Sequence, residues 1–229
     1  MKTLPLKMRY IVCVVVLALP AELFHCAGQD PELVVLLTGF EPFSGMQFNA
    51  SAEGVRMFCE AGGFEGHVSV FWKVLPVVYD EAPRQLEDAV EEVKPRVVIA
   101  LGICDEPRYR IERVARNLDD TEVPDNREEV RRSRRIIEEG PDSYEAPYPH
   151  AELARRLEKR GLPWRFSDSA GGFLCNHVFY HLCHLSASAH SGIDSATFLH
   201  VPPLGEGEEL WGLIVAIGCA VETALANDS

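Results

Sequence analysis

The chain has no CxxC pair, no HExxH helix, no internal repeat and no apolar run long enough to span a bilayer. Each absence removes a class of protein. Without paired cysteines a zinc ribbon has no ligand set. Without HExxH a zincin-type metalloprotease lacks two histidines and a general base. Positive charge is also short. Lysine and arginine number 22 against 35 acidic residues, a formal net charge of −13. Nucleic acid and anionic membrane surfaces are therefore poor partners. Of the seven cysteines, Cys13 and Cys26 lie in or beside the N-terminal segment. Cys59, Cys104, Cys175, Cys183 and Cys219 are scattered, which excludes a disulfide framework and leaves at least one thiol free.

The 229 residues, 47% of them hydrophobic, suffice for one full core and predict a single domain. Residues 1–28 form a separate N-terminal segment, with 29–229 as the domain. Lys2, Lys7 and Arg9 precede the apolar run Tyr10 to Leu19, the pattern of a secretory signal or signal-anchor rather than a membrane span. That pattern is favoured over a non-cleaved extension, although Pro20 to His25 make an awkward approach to the small residues at Cys26-Ala27-Gly28.

Continuous apolar runs at 33–38, 68–75, 95–102 and 196–201 predict buried strands. Helical signals fall between them. Ser51 is the expected cap of a helix running toward Cys59, and Asp80 with Pro83 opens a second. A third spans 151–159 and ends at Gly161, and 206–226 closes the chain as an apolar helix. This alternation predicts an α/β fold, a three-layer α/β/α sandwich around an open, twisted, mostly parallel sheet. Residues 108–115 read as one further strand. From Asp119 to Pro149 the chain is charged and poor in apolar residues, which predicts a surface excursion of some mobility. Its basic run Arg131 to Arg135 is neutralised by acidic flanks.

The stretch from Ser167 to Tyr180 passes from a strand end through Gly171 and Gly172 into an apolar helix opening near Cys175. Glycines permit a tight turn, and a helix start supplies free N–H groups and a partial positive charge. The expectation is a nucleophilic cysteine whose thiolate is favoured by the helix end. His200, at a strand end before Pro202-Pro203, is the candidate base. Glu112 is the candidate carboxylate that orients it. Taken singly, each has an ordinary structural reading: a packed thiol, a satisfied histidine, and a salt bridge to Arg110 or Arg113.

Four blocks give these residues a common context. They are Thr38-Gly-Phe-Glu-Pro-Phe43 with Asn49-Ala-Ser51, and Ile111-Glu-Arg-Val-Ala-Arg-Asn117 with Val123-Pro-Asp-Asn126. The others are Ser169-Ala-Gly-Gly-Phe-Leu-Cys-Asn-His177 and His200-Val-Pro-Pro203. In this order the chain resembles the pyroglutamyl-peptidase I family, cysteine peptidases that remove N-terminal 5-oxoproline, from about Leu33 to Ala226. The resemblance implies a phosphorylase/hydrolase-like fold. It also implies Cys175 as nucleophile, His200 as base and later acid, and Glu112 as orienting carboxylate. Phe40 and Phe43 would sandwich the lactam ring, with Asn49 near the substrate. No cofactor or metal is implied, and the partner is a peptide with N-terminal pyroglutamate. A cytoplasmic location follows from the resemblance, and the secretory pathway from the N-terminal segment. Secretion would make Asn49 a glycosylation acceptor, in conflict with an open pocket.

The sequence departs from the family pattern at Glu41, where glycine is usual, in Ile103 to Pro107, and in the charged residues 127–139. With Cys175, His200 and Glu112 all present, chemistry is expected to survive. The alternative is an impaired binding protein on the same scaffold. His177, His181 and His184 share a helix face at metal-ligand spacing, but no acidic partner accompanies them in the motif.

Overall fold

In the computed structural model, residues 23–26, 33–62, 68–204 and 210–226 are described. The apolar runs are strands β2 (Leu33–Phe40), β3 (Val68–Leu75), β4 (Val97–Ile103) and β9 (Ser195–Val201). They lie side by side and parallel in the order β3-β2-β4-β9. Strands with parallel neighbours on both sides and helices on both faces need apolar side chains throughout. All seven residues of β9 are buried.

Three strands run the other way. Strand β5 (Tyr109–Glu112) pairs antiparallel to β9 and carries β8 (Trp164–Ser167) parallel on its outer side. At the opposite edge, β1 (Phe24–Cys26) pairs antiparallel to β3, and Phe24 stacks on Trp72 with ring centroids 4.3 Å apart. Those three residues belong to the segment assigned to a leader, so part of it joins the sheet. The rest of residues 1–22 lies outside the described residues, as do 27–32.

Helices cover both faces. On one side α1 (Ala50–Glu60), α3 (His150–Lys159) and α5 (Trp211–Ala226) pack on Val35, Leu37, Ile99 and Leu199. On the other, α2 (Glu81–Val93) and α4 (Leu174–Ser186) pack on Leu36, Val98 and Phe198. The start of the expected last helix, 206–209, is outside the described residues. Among those described, no helix is long and apolar enough to cross a membrane.

Three local expectations change. Asn49 caps α1, its side chain accepting from Ser51 N at 3.0 Å, while Ser51 Oγ accepts from Phe40 N. Asp80 precedes α2 but makes no side-chain cap; its carboxylate bonds Arg131 instead. The run 108–115 is two strands, because the chain leaves the sheet at Arg113. There Arg113 N donates to Ser167 O, and β6 (Val114–Arg116) pairs with β7 (Ser143–Glu145).

The charged excursion is the largest correction. Polar side chains tie it down where apolar ones are missing. The buried Asn117 side chain accepts from Ile136 N and Ile137 N, both at 2.9 Å, and donates to Ile137 O and Gly140 O. Asp125 accepts from Tyr79 N, Arg127 N and Glu129 N. Arg131 is buried, with its guanidinium 4.2 Å from the centroid of Tyr79 and paired to Asp80, Glu129 and Asp119. Arg132, Arg134 and Arg135 pair with Glu122, Glu129 and Asp142. The basic run is neutralised internally, as its acidic flanks imply.

Truncating Asn117 leaves Ile136 N and Ile137 N without their acceptor, each worth about 1–3 kcal/mol where shielded from water. Asn117→Ala is expected to cost on the order of 3 kcal/mol of stability. Hydrogen exchange should rise first in 131–142. Unchanged protection there would overturn this account.

Candidate active site

The nucleophile candidate is set by a turn and held by two side chains behind it. Gly171 adopts φ +90, which L residues rarely adopt, and Gly172 lies so close to Asp120 that a Cβ would sit 2.2 Å from its carbonyl oxygen. Phe173 then caps α4 without a side-chain bond. The first helical acceptor is used by His177 N, so the N–H groups before it have no helical partner. Cys175 occupies this first turn and is partly exposed. Asn176 holds the backbone of 116–118 through three hydrogen bonds of 2.9–3.0 Å. His177 Nδ1 meets the buried Asp119 at 2.9 Å.

The base candidate is delivered by the antiparallel pair. Arg110 stands opposite His200, and Glu112 opposite Phe198. Residues two apart on a strand share a face, so Arg110, Glu112, His200 and Phe198 all turn toward α4. His200 Nδ1 and Glu112 Oε1 are 2.7 Å apart, both buried. Facing a carboxylate, that nitrogen carries the proton and leaves Nε2 as the free base position.

Gly102 joins the two halves. It is the Cα partner of His200 on β4, and a Cβ built on it would lie 2.8 Å from Cys175 Sγ and 2.9 Å from the Phe198 ring. No other residue type fits there without displacing the sulfur. Thiol, imidazole and carboxylate therefore meet around one missing side chain.

Burial pushes the Cys175 thiol up to about 12, and the Glu112 charge pushes the same way. Burial also lowers His200 from the ordinary 6.5, against the pull of Glu112. Although Cys175 is partly exposed as a residue, its sulfur sits against Gly102, so desolvation dominates. The thiolate that the helix end favours is opposed here by burial and by the nearby carboxylate. The partial charge of one helix terminus is outweighed by desolvation and a full negative charge nearby.

Beside the sulfur lies a small cleft lined by Phe40, Phe43, Asn49 and Phe173, and completed by Val77, Ile103 and the first turn of α4. None of its lining residues is charged. Phe43 and Phe173 face each other at 5.8 Å between centroids. Val77 and Gly102 were not singled out from sequence, whereas Phe173 lies inside the Ser169–His177 block and Ile103 opens the loop that departs from the family pattern.

Glu41 does not enter this cleft. Its Oε1 accepts from Val77 N at 3.1 Å and Asn126 Nδ2 at 2.8 Å, tying the phenylalanine loop to the neighbouring segments. Asn49 is buried and donates to Glu41 O at 3.0 Å, so a glycan on that nitrogen is incompatible with this packing. In the Ile103 to Pro107 loop, the Cys104 thiol is buried among three carbonyls and Glu106 pairs with Arg165. The histidine face of α4 is divided: His177 bonds Asp119, and His184 bonds the Tyr144 hydroxyl at 2.8 Å. Burial first, then its neighbouring histidines, lowers His181 to about 3. Among the described residues no group of three or more His, Cys, Asp or Glu is placed to hold a metal.

An open α/β sheet with a helix-end thiol beside a buried imidazole–carboxylate pair has the form of a cysteine hydrolase site. The family model described as pyroglutamyl peptidase matches residues 33–209. A pyrrolidone-carboxylate peptidase from Pyrococcus furiosus is 37% identical over 174 residues, covering 75% of this chain and 82% of that relative. One from Bacillus mycoides is 35% identical over 173 residues, covering 75% and 79%. Among solved structures, pyroglutamyl peptidase I from Bacillus amyloliquefaciens superposes with a TM-score of 0.78 at 31% identity, covering 85% of this chain and 98% of the other. A mutant pyrrolidone carboxyl peptidase from Pyrococcus furiosus gives 0.79 at 32%, covering 86% and 100%. The chain belongs to the pyroglutamyl peptidase family.

Gly102→Ala tests the convergence directly. The added methyl must displace the sulfur or the Phe198 ring. Cys175 alkylation is expected to change in rate by about tenfold or more, with a far smaller change in melting temperature. A parental alkylation rate in a folded variant would show that the close approach is unimportant.

Proposed function

We propose that this chain is a cysteine exopeptidase that hydrolyses the amide bond following an N-terminal pyroglutamyl residue. The observation that carries the reading is an uncharged aromatic cleft opening beside the Cys175 sulfur. An ordinary N-terminus brings an ammonium, which such a cleft would desolvate without a partner. The pyroglutamyl lactam brings no charge, and its flat ring suits Phe43, Phe40 and Phe173.

In this mechanism His200 Nε2 takes the Cys175 proton as the sulfur attacks the pyroglutamyl carbonyl carbon. The S–C bond forms, and N–H groups of the first turn of α4 receive the oxyanion. The amide C–N bond then breaks, and His200 returns the proton to the departing amine. Water, deprotonated by His200, attacks the thioester, and 5-oxoproline leaves as sulfur recovers its proton. Glu112 holds the imidazole in the required tautomer and stabilises its transient charge. No step needs a metal.

The test is release of fluorophore from a pyroglutamyl amide by the full chain under reducing conditions, beside Cys175→Ala. Release by the parent alone supports the reading. No release by a folded parent, or equal release by the variant, sinks it.

A pH dependence follows from the base. His200 must be neutral to accept the thiol proton, and its burial lowers its pKa below 6.5. Activity is therefore expected to persist at pH 6.5 and to fall as pH drops through that depressed value. An acid limb of kcat/KM centred above 6.5 would contradict this environment for His200.

A further inference from the structure

Glu112 is fully buried, and one of its oxygens does all the work described so far. Oε1 accepts from His200 at 2.7 Å and from Arg110 Nε at 3.0 Å, with Arg110 Nη2 in ion-pair contact at 2.9 Å. Among the described residues Oε2 has no hydrogen-bond partner. The same Arg110 Nη2 reaches Ser169 O at 2.7 Å and Ser167 Oγ at 3.4 Å. Ser169 lies just ahead of the Gly171–Gly172 turn that delivers Cys175.

We propose that Arg110 is a positioning residue for the hydrolysis: one guanidinium fixes both the Glu112 oxygen that orients His200 and the turn that presents Cys175. The reaction it serves is the one proposed above. Two arms of the site rise from different strands, and neither arm contacts the other through the carboxylate alone. A planar group with fixed donors spans them where a point charge would not. Its permanent positive charge also compensates a carboxylate that has been removed from water.

Because Arg110 and His200 are cross-strand partners, the cation also faces the imidazole. The charged and titratable groups around His200 are Glu112 and Arg110 from β5, Asp105 from the loop after β4, and Cys175 from α4. Glu112 and Asp105 favour the imidazolium, and Arg110 opposes it. Removing the guanidinium while Glu112 stays in place lets His200 protonate more readily.

The experiment compares the full chain with Arg110→Gln and Arg110→Lys. It reads kcat, KM and the pH profile on the pyroglutamyl amide, and the pH profile of Cys175 alkylation by iodoacetamide without substrate. Arg110→Gln is expected to lose about 30-fold in kcat, with KM within about threefold and the acid limb displaced upward. Arg110→Lys keeps the charge but loses the second arm. It is expected to hold the acid limb and lose about fivefold in kcat. A folded Arg110→Gln with parental kcat and parental acid limb overturns the proposal. So do equal losses in both variants with an unmoved limb and a lowered melting temperature, which mark a merely structural role. If Arg110→Gln does not fold, parental kcat in Arg110→Lys overturns the two-armed role and a loss upholds it. Should the parent fail to cleave the amide, the substrate reading falls and alkylation still decides. A displaced alkylation profile in Arg110→Gln supports the role of Arg110, and a parental profile removes it.

Discussion

The hydrogen bond between His200 and Glu112 depends on a reversal of chain direction. Four parallel strands bring their C-terminal ends to one edge of the sheet, where His200 and Gly102 lie side by side. Strand β5 comes next in space but runs the other way. That reversal places a carboxylate from the middle of the chain against a histidine 88 residues later. Both groups are buried, so breaking the pair by removing either partner leaves an uncompensated polar group in the interior. The glycine at 102 admits the sulfur to the same place. Direction of β5, absence of a side chain at 102 and the turn at Gly171–Gly172 are therefore one joint constraint.

The charged excursion is part of that constraint. Its buried anchors, Asn117, Asp119, Asp125 and Arg131, satisfy backbone and side-chain groups that an apolar core would leave to packing. Two side chains of the helix that carries Cys175 also bind this stretch. Asn176 binds the backbone of residues 116–118, and His177 binds Asp119. The residues following the cysteine in sequence thus staple its helix to the segment following Glu112. A stretch poor in hydrophobic residues is tied down here because its polar groups are paired.

Departures from the family pattern have defined structural uses. The Glu41 carboxylate links the phenylalanine loop to Val77 and Asn126, and the Asn49 side chain closes the same loop from the other side. The loop after β4 buries the Cys104 thiol and anchors Glu106 on Arg165. Each change therefore adds bonds around the cleft while leaving its lining uncharged.

Strand and helix identity was legible locally, because continuous apolar runs and helical periodicity report burial directly. So were the turn at Gly171–Gly172 and the nucleophile candidate beyond it, since backbone freedom and small residues leave a local signature. The split of 108–115 was not legible, because its alternation continues while the partner strand changes at Arg113. Order in the excursion was equally hidden: Asn117 and Arg131 look like surface residues until their partners are known. The sequence alone determined the α/β class and the family resemblance, and that resemblance joined Cys175, His200 and Glu112 as candidates. Only the tertiary structure decided that Gly102 makes room for the sulfur, that Glu41 turns away from the cleft, and that burial and Glu112 oppose the thiolate favoured by the helix end. Those outcomes depend on which groups approach across tens of residues and on how much water they lose, and neither quantity is written in local sequence.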